Sequence, residues 1–122
     1  MMAEHNEKGK IGEKLAKEYL INHGYKILHT NWRIMRFEVD IIAQKDNILV
    51  FCEVKYRTSN VFGEPETFVT MRKQKNIIKA AAIYVGRYRW QGESRFDIVS
   101  VLADKKIPKI NHIENAYGSM WR

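Results

Sequence analysis

The 122-residue chain is long enough for one domain with a single hydrophobic core, and its 45% content of apolar residues excludes a disordered chain. Lysine and arginine total 21 against 14 aspartate and glutamate residues, which gives a net charge of +7. This excess favours an anionic partner, with nucleic acid the leading candidate, although a basic protein without such a partner has the same balance.

Cysteine content and hydropathy predict the cellular compartment of the protein. Cys52 is the single cysteine, so an intrachain disulfide is impossible, which fits a reducing cytoplasm. The polar N-terminal stretch predicts no signal peptide, and no apolar run approaches the length of a membrane span. We therefore expect a cytoplasmic protein with no membrane partner.

Hydrophobic periodicity and turn residues predict one domain over residues 1–122, with residues 1–7 as a flexible tail. Gly24 falls where a helix C-cap belongs. In chain order, the predicted elements are a helix at about 8–22, strands at 25–32, 36–44 and 48–56, a loop at 57–66, a helix at 69–87, a strand at 95–102 and an edge strand at 107–113. The residues after 113 are expected to dock on the body.

The order of these elements predicts an α/β fold. Three sequential strands are followed by a helix and a fourth strand, and a helix between two strands implies a parallel crossover. We therefore expect an αβββαβ core, with a mixed sheet flanked by helices on both faces.

The stretch 36–57 reads as a hairpin in which Asp46 and Asn47 form the turn. Lys45 then pairs with Ile48, which places Asp40 opposite Glu53 and Glu38 opposite Lys55. Strand alternation puts these four charged side chains on one face. The other face is predicted to carry six core residues: Phe37, Val39, Ile41, Val50, Cys52 and Val54.

Carboxylates gathered on adjacent strands repel each other and destabilise a sheet. A divalent cation would remove the repulsion, because hard cations prefer carboxylate oxygens. Lys55 is two residues beyond Glu53 on the same face, within reach of a phosphate or a metal-bound water. The alternative is a set of ordinary salt bridges on an exposed sheet face, but four such residues on adjacent strands favour a site.

Two further polar side chains each have two interpretations. Glu13 lies at the edge of the apolar stripe of the first helix, either as a solvated charge or aimed at the rim of the hairpin site. Gln74 lies on the apolar face of the second helix, where it either bonds a loop carbonyl or reaches the site. The residues predicted to face nucleic-acid phosphates are Arg57, Arg72, Lys73 and Lys75.

The combination of Asp40 with Glu53-Val54-Lys55 resembles the PD-(D/E)xK motif of restriction-endonuclease-like nucleases, and the αβββαβ order matches their common core. Five stretches more closely resemble the uncharacterised bacterial YraN family, which is related to Holliday-junction-resolvase-like proteins. They are EVDIIA (38–43), LVFCEVKYR (49–57), VTMRKQ (69–74), RFDIVSV (95–101) and HIENAY (112–117). One departure is Phe37, where the family has glycine before Glu-x-Asp.

The resemblance implies a role for each matching residue. Asp40 and Glu53 would be metal-ligand carboxylates, joined by the Val54 carbonyl, and Lys55 would be the motif lysine. Glu13 corresponds to the first-helix acid of the resolvase-like branch. Gln74, with Lys73, corresponds to the polar position of the second helix near the site. Glu38 belongs to the family motif without an assigned role.

The function implied by the resemblance is Mg²⁺- or Mn²⁺-dependent hydrolysis of phosphodiester bonds in DNA, including branched DNA, with a homodimer expected by analogy. The catalytic set would be Asp40, Glu53, Lys55, Glu13 and Gln74. Two other readings remain open: a nucleic-acid-binding protein that keeps the fold without catalysis, and an interaction module whose acids only pair with arginines.

Overall fold

In the computed structural model, the described residues are 2–58, 67–104 and 106–118, with side chains described from residue 9 onward. The predicted αβββαβ order is confirmed and is followed by one more strand. The elements are α1 (Met2–Asn22), β1 (Lys26–Ile34), β2 (Phe37–Lys45), β3 (Ile48–Arg57), α2 (Met71–Tyr88), β4 (Glu93–Leu102) and β5 (Lys109–Tyr117). Most of the predicted loop at 57–66 lies outside the described residues.

Two boundaries differ from the sequence prediction by more than two residues. Helix α1 begins at Met2, where a tail is predicted, because the polar run there consists largely of good helix formers and needs no apolar stripe to extend the helix. Strand β5 begins at Lys109 and continues to Tyr117, so residues expected to dock as a tail belong to the sheet instead. The predicted end of α1 at residue 22 is confirmed.

The five strands form one mixed sheet in the order β1-β2-β3-β4-β5. Strands β1, β2 and β3 are antiparallel neighbours, whereas β3 and β4 are parallel and are connected through α2, as the crossover rule predicts. Helix α1 packs on one face, over a core that includes Ala16, Leu20 and Val99. Helix α2 packs on the other face, so the prediction of helices on both faces is confirmed. In the described part of the chain, neither helix is both long and apolar enough to cross a membrane.

The predicted hairpin register is confirmed. Lys45 pairs with Ile48, and the ladder continues without slippage to Ile41 and Cys52. Asp46 adopts a φ of 54°, the left-handed conformation that a tight turn of this type requires. The paired ladder ends just before Asp40 and Glu53, which therefore lie where the two strands cease to share main-chain hydrogen bonds.

The predicted division of β2 between two faces is wrong for its first half. Phe37 and Val39 pack in the α2-side core, together with Ile42, whereas Ile41 packs on the α1 side. Two residues that should share a face by strict alternation, Val39 and Ile41, are thus on opposite faces, and Asp40 lies between them. The opposing position in β1 is Asn31, whose φ of 52° locally interrupts the regular pleat.

Helix α1 approaches the sheet closely at one point. A Cβ atom added at Gly12 would lie 3.0 Å from both Cβ and Cδ2 of Tyr56 in β3. Contacts this short are tighter than ordinary packing, so the absence of a side chain at Gly12 sets the distance between α1 and β3. This close approach places Glu13, the next residue, beside the strand ends that carry Asp40.

Strand β5 is anchored by a buried carboxylate. Both Asp97 oxygens are used: Arg95 donates from Nε to Oδ1 (2.9 Å) and from its terminal nitrogen to Oδ2 (2.8 Å), and the Asn115 N–H donates to Oδ1 (3.0 Å). His112 Nε2 lies 2.7 Å from Oδ2. Burial acts to raise the pKa of Asp97, but these hydrogen bonds outweigh it and the pKa is lowered. The Arg95–Asp97 ion pair therefore belongs to a larger network that ties β5 to β4.

Candidate functional site

Two buried carboxyl groups meet where the β2–β3 ladder ends. The Val54 N–H donates a hydrogen bond to Asp40 Oδ2 (2.9 Å), so the aspartate side chain takes an amide that the neighbouring strand does not pair. Glu53, which is only 5% exposed, is hydrogen-bonded to Asp40 through its own carboxyl group. The structure therefore brings together the two carboxylates of the sequence motif.

The electrostatics of this pair are unfavourable to two full negative charges. Burial raises the pKa of Glu53 to about 7, and the charge of Asp40 and the Asp40–Glu53 hydrogen bond act in the same direction. Burial also raises the pKa of Asp40, although the Val54 amide and the positive charge of Lys73 act against this. The hydrogen bond between the two groups raises the pKa of Glu53 and lowers that of Asp40.

A lysine from α2 compensates for part of this charge. The ammonium of Lys73 forms an ion pair with Glu53 Oε2. Thr70 caps α2, and its hydroxyl accepts a hydrogen bond from the Lys73 N–H (3.1 Å), which fixes the backbone at this turn. Burial acts to lower the pKa of Lys73, but its hydrogen bond to Glu53 and the charges of Glu53 and Asp40 outweigh this effect and raise it.

Two pockets open beside the carboxylates, and Lys73 and Thr70 line both. One has a volume of about 320 Å³ and includes Asp40 together with the cationic side chains of Arg36 and Arg72. The other, of about 200 Å³, includes Glu53 and Lys55. The buried acids thus face cavities that carry positive charge at their openings.

Lys55 lies on the same side of the sheet as Glu53. Both line the smaller pocket, and the ammonium of Lys55 is 5.4 Å from the centre of the Phe68 ring. A cation over an aromatic face is held by the quadrupole of the ring. The lysine of the sequence motif is therefore positioned beside the carboxylates, as alternation along β3 predicts.

Glu38 does not take the position predicted for it. The ladder ends before a Glu38–Lys55 pair can form, and Glu38 lies opposite Arg33 in β1, with Arg33 Nε 3.2 Å from Glu38 Oε2. This contact is one of the ordinary salt bridges considered above. Asp40 differs, since its carboxylate accepts a hydrogen bond from the Val54 N–H and is hydrogen-bonded to Glu53.

Glu13 lies at the rim of the site. Asn31 Nδ2 donates a hydrogen bond to Glu13 Oε1 (2.7 Å). Partial burial raises the pKa of Glu13; the Asn31 hydrogen bond opposes this shift, and the charges of Asp40 and Glu38 add to it. Because the charges of Asp40 and Glu38 shift the pKa of Glu13, its carboxylate lies near both acids. This favours the rim interpretation over a solvated charge.

The other predicted site residues lie further from the carboxylates or make different contacts. Gln74 donates to the Val69 carbonyl (2.9 Å), which is the loop alternative considered above. Arg57 is half-buried at the end of β3, and its carbonyl accepts from the Ala103 N–H (2.8 Å). Lys75 is exposed on α2. The contact that Val54 makes with Asp40 is through its amide, so a role for its carbonyl stays a prediction.

The sequence alone does not predict that three further residues lie near the acids. Asn31 fixes Glu13, Arg36 brings positive charge to the larger pocket, and Thr70 caps the helix that carries Lys73. Only Thr70 has a local signal, since threonine before a helical apolar pattern is a known N-cap residue. Asn31 and Arg36 lie in or beside β1, and their relevance depends on the pairing of β1 with β2.

The donor set fits a divalent cation. Within the described ranges, no three His, Cys, Asp or Glu side chains are grouped closely enough to enclose a metal ion. Mg²⁺, however, is commonly held by one or two carboxylates, with water and substrate phosphate completing its shell. Asp40 and Glu53 are two such carboxylates beside an open pocket, and the charge of Asp40, which raises the pKa of Glu53, is a repulsion that a cation would relieve.

Comparison with known proteins identifies the family. Residues 12–101 match the model of a family described as "Uncharacterised protein family UPF0102". The chain belongs to this family. It is 49% identical to a UPF0102 protein of Flavobacterium psychrophilum over 95% of this chain and 98% of the relative. A UPF0102 protein of Bacteroides thetaiotaomicron is 45% identical, covering 95% of this chain and 96% of its own.

A further relative shows the same similarity. A UPF0102 protein of Thermodesulfovibrio yellowstonii is 46% identical over 91% of this chain and 96% of its own length. The similarity therefore spans nearly the whole fold, including α1, the hairpin and α2. The printed names of these relatives state membership of the family and no activity.

Proposed function

We propose that this UPF0102 protein is a metal-dependent nuclease that hydrolyses phosphodiester bonds in DNA, including branched DNA. The observation that carries the proposal is the contact between the Asp40 and Glu53 carboxyl groups, with Lys55 and Lys73 beside them. Two buried carboxyl groups in contact destabilise a fold. Carboxyl groups with strongly shifted pKa values in a cleft are typical of functional sites.

The proposed cofactor is Mg²⁺ or Mn²⁺, held by Asp40, Glu53 and the Val54 carbonyl. When bound, such a cation acidifies a water molecule and stabilises the negative charge that develops on a phosphate. The protein contributes a rigid pair of carboxylates, because the Val54 N–H orients Asp40 and burial immobilises Glu53. Glu13, at the rim and bonded to Asn31, would limit how closely the DNA backbone approaches from α1.

The lysines and arginines of the two pockets would bind and orient the scissile phosphate. Lys55 is assigned an electrostatic role, since a lysine at neutral pH is a poor general base unless its environment strips the proton. Arg36 and Arg72 line the larger pocket and would hold the flanking phosphates. Contacts of this kind bind the backbone without reading sequence, and their strength falls steeply with salt concentration.

Three further parts of the proposal concern the partner, the cellular compartment and the oligomeric state. The net charge of +7 supports a nucleic-acid partner. The buried free thiol of Cys52 is compatible with the cytoplasm as the place of action. A homodimer is proposed only by analogy with resolvase-like enzymes.

The second candidate is a nucleic-acid-binding protein without catalysis, and one observation favours it. Because Lys73 already neutralises Glu53, the acid pair is compensated within the protein itself. A binding protein could keep the fold and the basic pockets and never require a metal ion. The interaction-module reading is weaker, since Glu38 pairs with Arg33 but Asp40 is hydrogen-bonded to the Val54 N–H and to Glu53.

The test uses Asp40→Asn in a nicking assay on duplex and branched DNA with Mg²⁺ or Mn²⁺. We expect cleavage to be lost while the fold survives, because asparagine keeps the oxygen that accepts the Val54 amide and removes only the charge. DNA binding, measured in parallel by fluorescence anisotropy, should persist or strengthen, since one repulsive charge is gone. Asp104→Asn, at an exposed position, is the matched control and should cleave normally.

Lys55→Met separates loss of chemistry from misfolding. It should also abolish cleavage, but it should weaken DNA binding rather than strengthen it, because a cation is lost from the phosphate pocket. Opposite changes in binding with a common loss of cleavage cannot come from unfolding. If the wild-type protein binds both DNAs and never cuts them with either metal, the binding-protein candidate replaces the nuclease.

A further inference from the structure

We propose that Lys73 is a built-in counter-ion of the acid pair, which leaves Glu53 when a divalent cation binds and then becomes a ligand for the substrate phosphate. This inference rests on the proposed function, since it concerns the same carboxylates. It differs from a simple phosphate contact because it makes the availability of Lys73 depend on the occupancy of the acid pair.

The first supporting observation is the unequal burial of the two partners. The Glu53 side chain is only 7% exposed, whereas the Lys73 side chain is 52% exposed and lines both pockets. The carboxylate is fixed in the protein, and the ammonium is at the end of a flexible chain that already borders open space. An exchange of partners therefore requires rotation of one lysine side chain and no movement of the backbone.

The second observation is the position of Lys73 in its helix. It lies in the first turn of α2, next to Arg72, and this turn carries no acidic side chain. The positive end of a helix dipole disfavours cations and favours anions. A lysine at this end breaks the usual preference, and such local conflicts are expected at functional sites. The contact with Glu53 explains why the ammonium is tolerated there, and the helix end itself favours an incoming phosphate.

The third observation concerns charge. Lys73 interacts with Glu53, Asp40 and Glu38, so it compensates for the whole acidic group rather than a single partner. A divalent cation between Asp40 and Glu53 would take over this role. Two cations cannot share the same Glu53 oxygen without strong repulsion. Lys73 would then turn toward the phosphate, which brings its own negative charge.

The experiment measures Mg²⁺ binding to the DNA-free protein by isothermal titration calorimetry at pH 8.5, so that Glu53 is largely ionised. Lys73→Met should bind Mg²⁺ at least about tenfold more tightly than wild type, because the ion no longer displaces a charge-assisted hydrogen bond. Lys73→Arg keeps the positive charge and should bind as weakly as wild type. Lys75→Met, which removes an exposed lysine from the same helix, should also match wild type.

Each outcome of this titration supports or overturns the counter-ion role of Lys73. Unchanged or weaker Mg²⁺ binding in Lys73→Met overturns the counter-ion role and leaves the nuclease proposal standing, because the wild type still binds the ion. Absence of Mg²⁺ binding in every protein overturns both. If thermal melts show that Lys73→Met does not fold, Lys73→Gln carries the same expectation, since it also removes the positive charge that pairs with Glu53.

Discussion

The shifted pKa of Glu53 makes the stability of the metal-free protein depend on pH. The pKa of Glu53 is raised to about 7 in the folded protein, against 4.5 for an unperturbed glutamate. A carboxyl whose pKa is raised on folding costs stability once the unfolded chain ionises. Stability is therefore expected to fall as pH rises from about 4.5 to about 7 and to level off above that.

The magnitude follows from the size of the shift. Each pKa unit corresponds to about 1.4 kcal/mol, so the full effect is roughly 3 kcal/mol, and most of it develops between pH 5 and pH 8. Glu53 is almost fully buried, so solvent screening does not reduce this figure greatly. The raised pKa of Asp40 acts in the same direction.

The assay is urea unfolding in EDTA at pH 5 and pH 8 for the wild type and Glu53→Gln. Histidines and other groups titrate in both proteins, so the difference between them isolates Glu53. We expect the glutamine variant to gain roughly 2–3 kcal/mol of unfolding free energy relative to wild type between these pH values. Glu93→Gln makes the same chemical change at an exposed position of β4 and should keep the wild-type dependence. Identical pH profiles for Glu53→Gln and wild type would refute the reasoning.

Two further predictions concern packing. Gly12→Ala should destabilise the protein by about 1–3 kcal/mol, because the added Cβ would press on Tyr56. Gly9→Ala has no atom within 4 Å of the added Cβ and should stabilise the protein by roughly 0.5–1 kcal/mol. Thermal melts of the two variants test this, and equal shifts in melting temperature would contradict it. Asp97→Asn should cost about 3–5 kcal/mol in urea unfolding, since it breaks a buried ion pair. Asp104→Asn, which is exposed, is the control, and a loss below 1 kcal/mol at Asp97 would show that the network adds little.

Much of the fold was predictable because its signals are local. The turn at Asp46 sets the register of the hairpin, and register alone predicts that Asp40 and Glu53 are neighbours. The division of β2 between faces was not predictable, because strict alternation assumes an unbroken pleat. The reversal between Val39 and Ile41 depends on the opposing strand, where Asn31 has a positive φ, and no local pattern in β2 reports it.

The site was predictable only as far as the hairpin. The carboxylates and Lys55 are held by strand geometry, which the sequence pattern describes. The pairing of Lys73 with Glu53 depends on how α2 docks on the sheet, which the helical periodicity of α2 does not report. For Gln74 the pattern allowed two partners, and the capping turn at the start of α2 puts the Val69 carbonyl within reach.

The parallel pairing of β3 with β4 has a consequence for the order in which the chain folds. Hairpin β2–β3 closes through a two-residue turn, whereas the β3–β4 ladder requires the whole α2 crossover to be in place. Local contacts generally form before distant ones. We therefore expect the hairpin to bring Asp40 and Glu53 together before α2 delivers Lys73. The arrival of the helix then relieves a repulsion that the hairpin alone cannot, so the acid pair would draw α2 onto the sheet during folding.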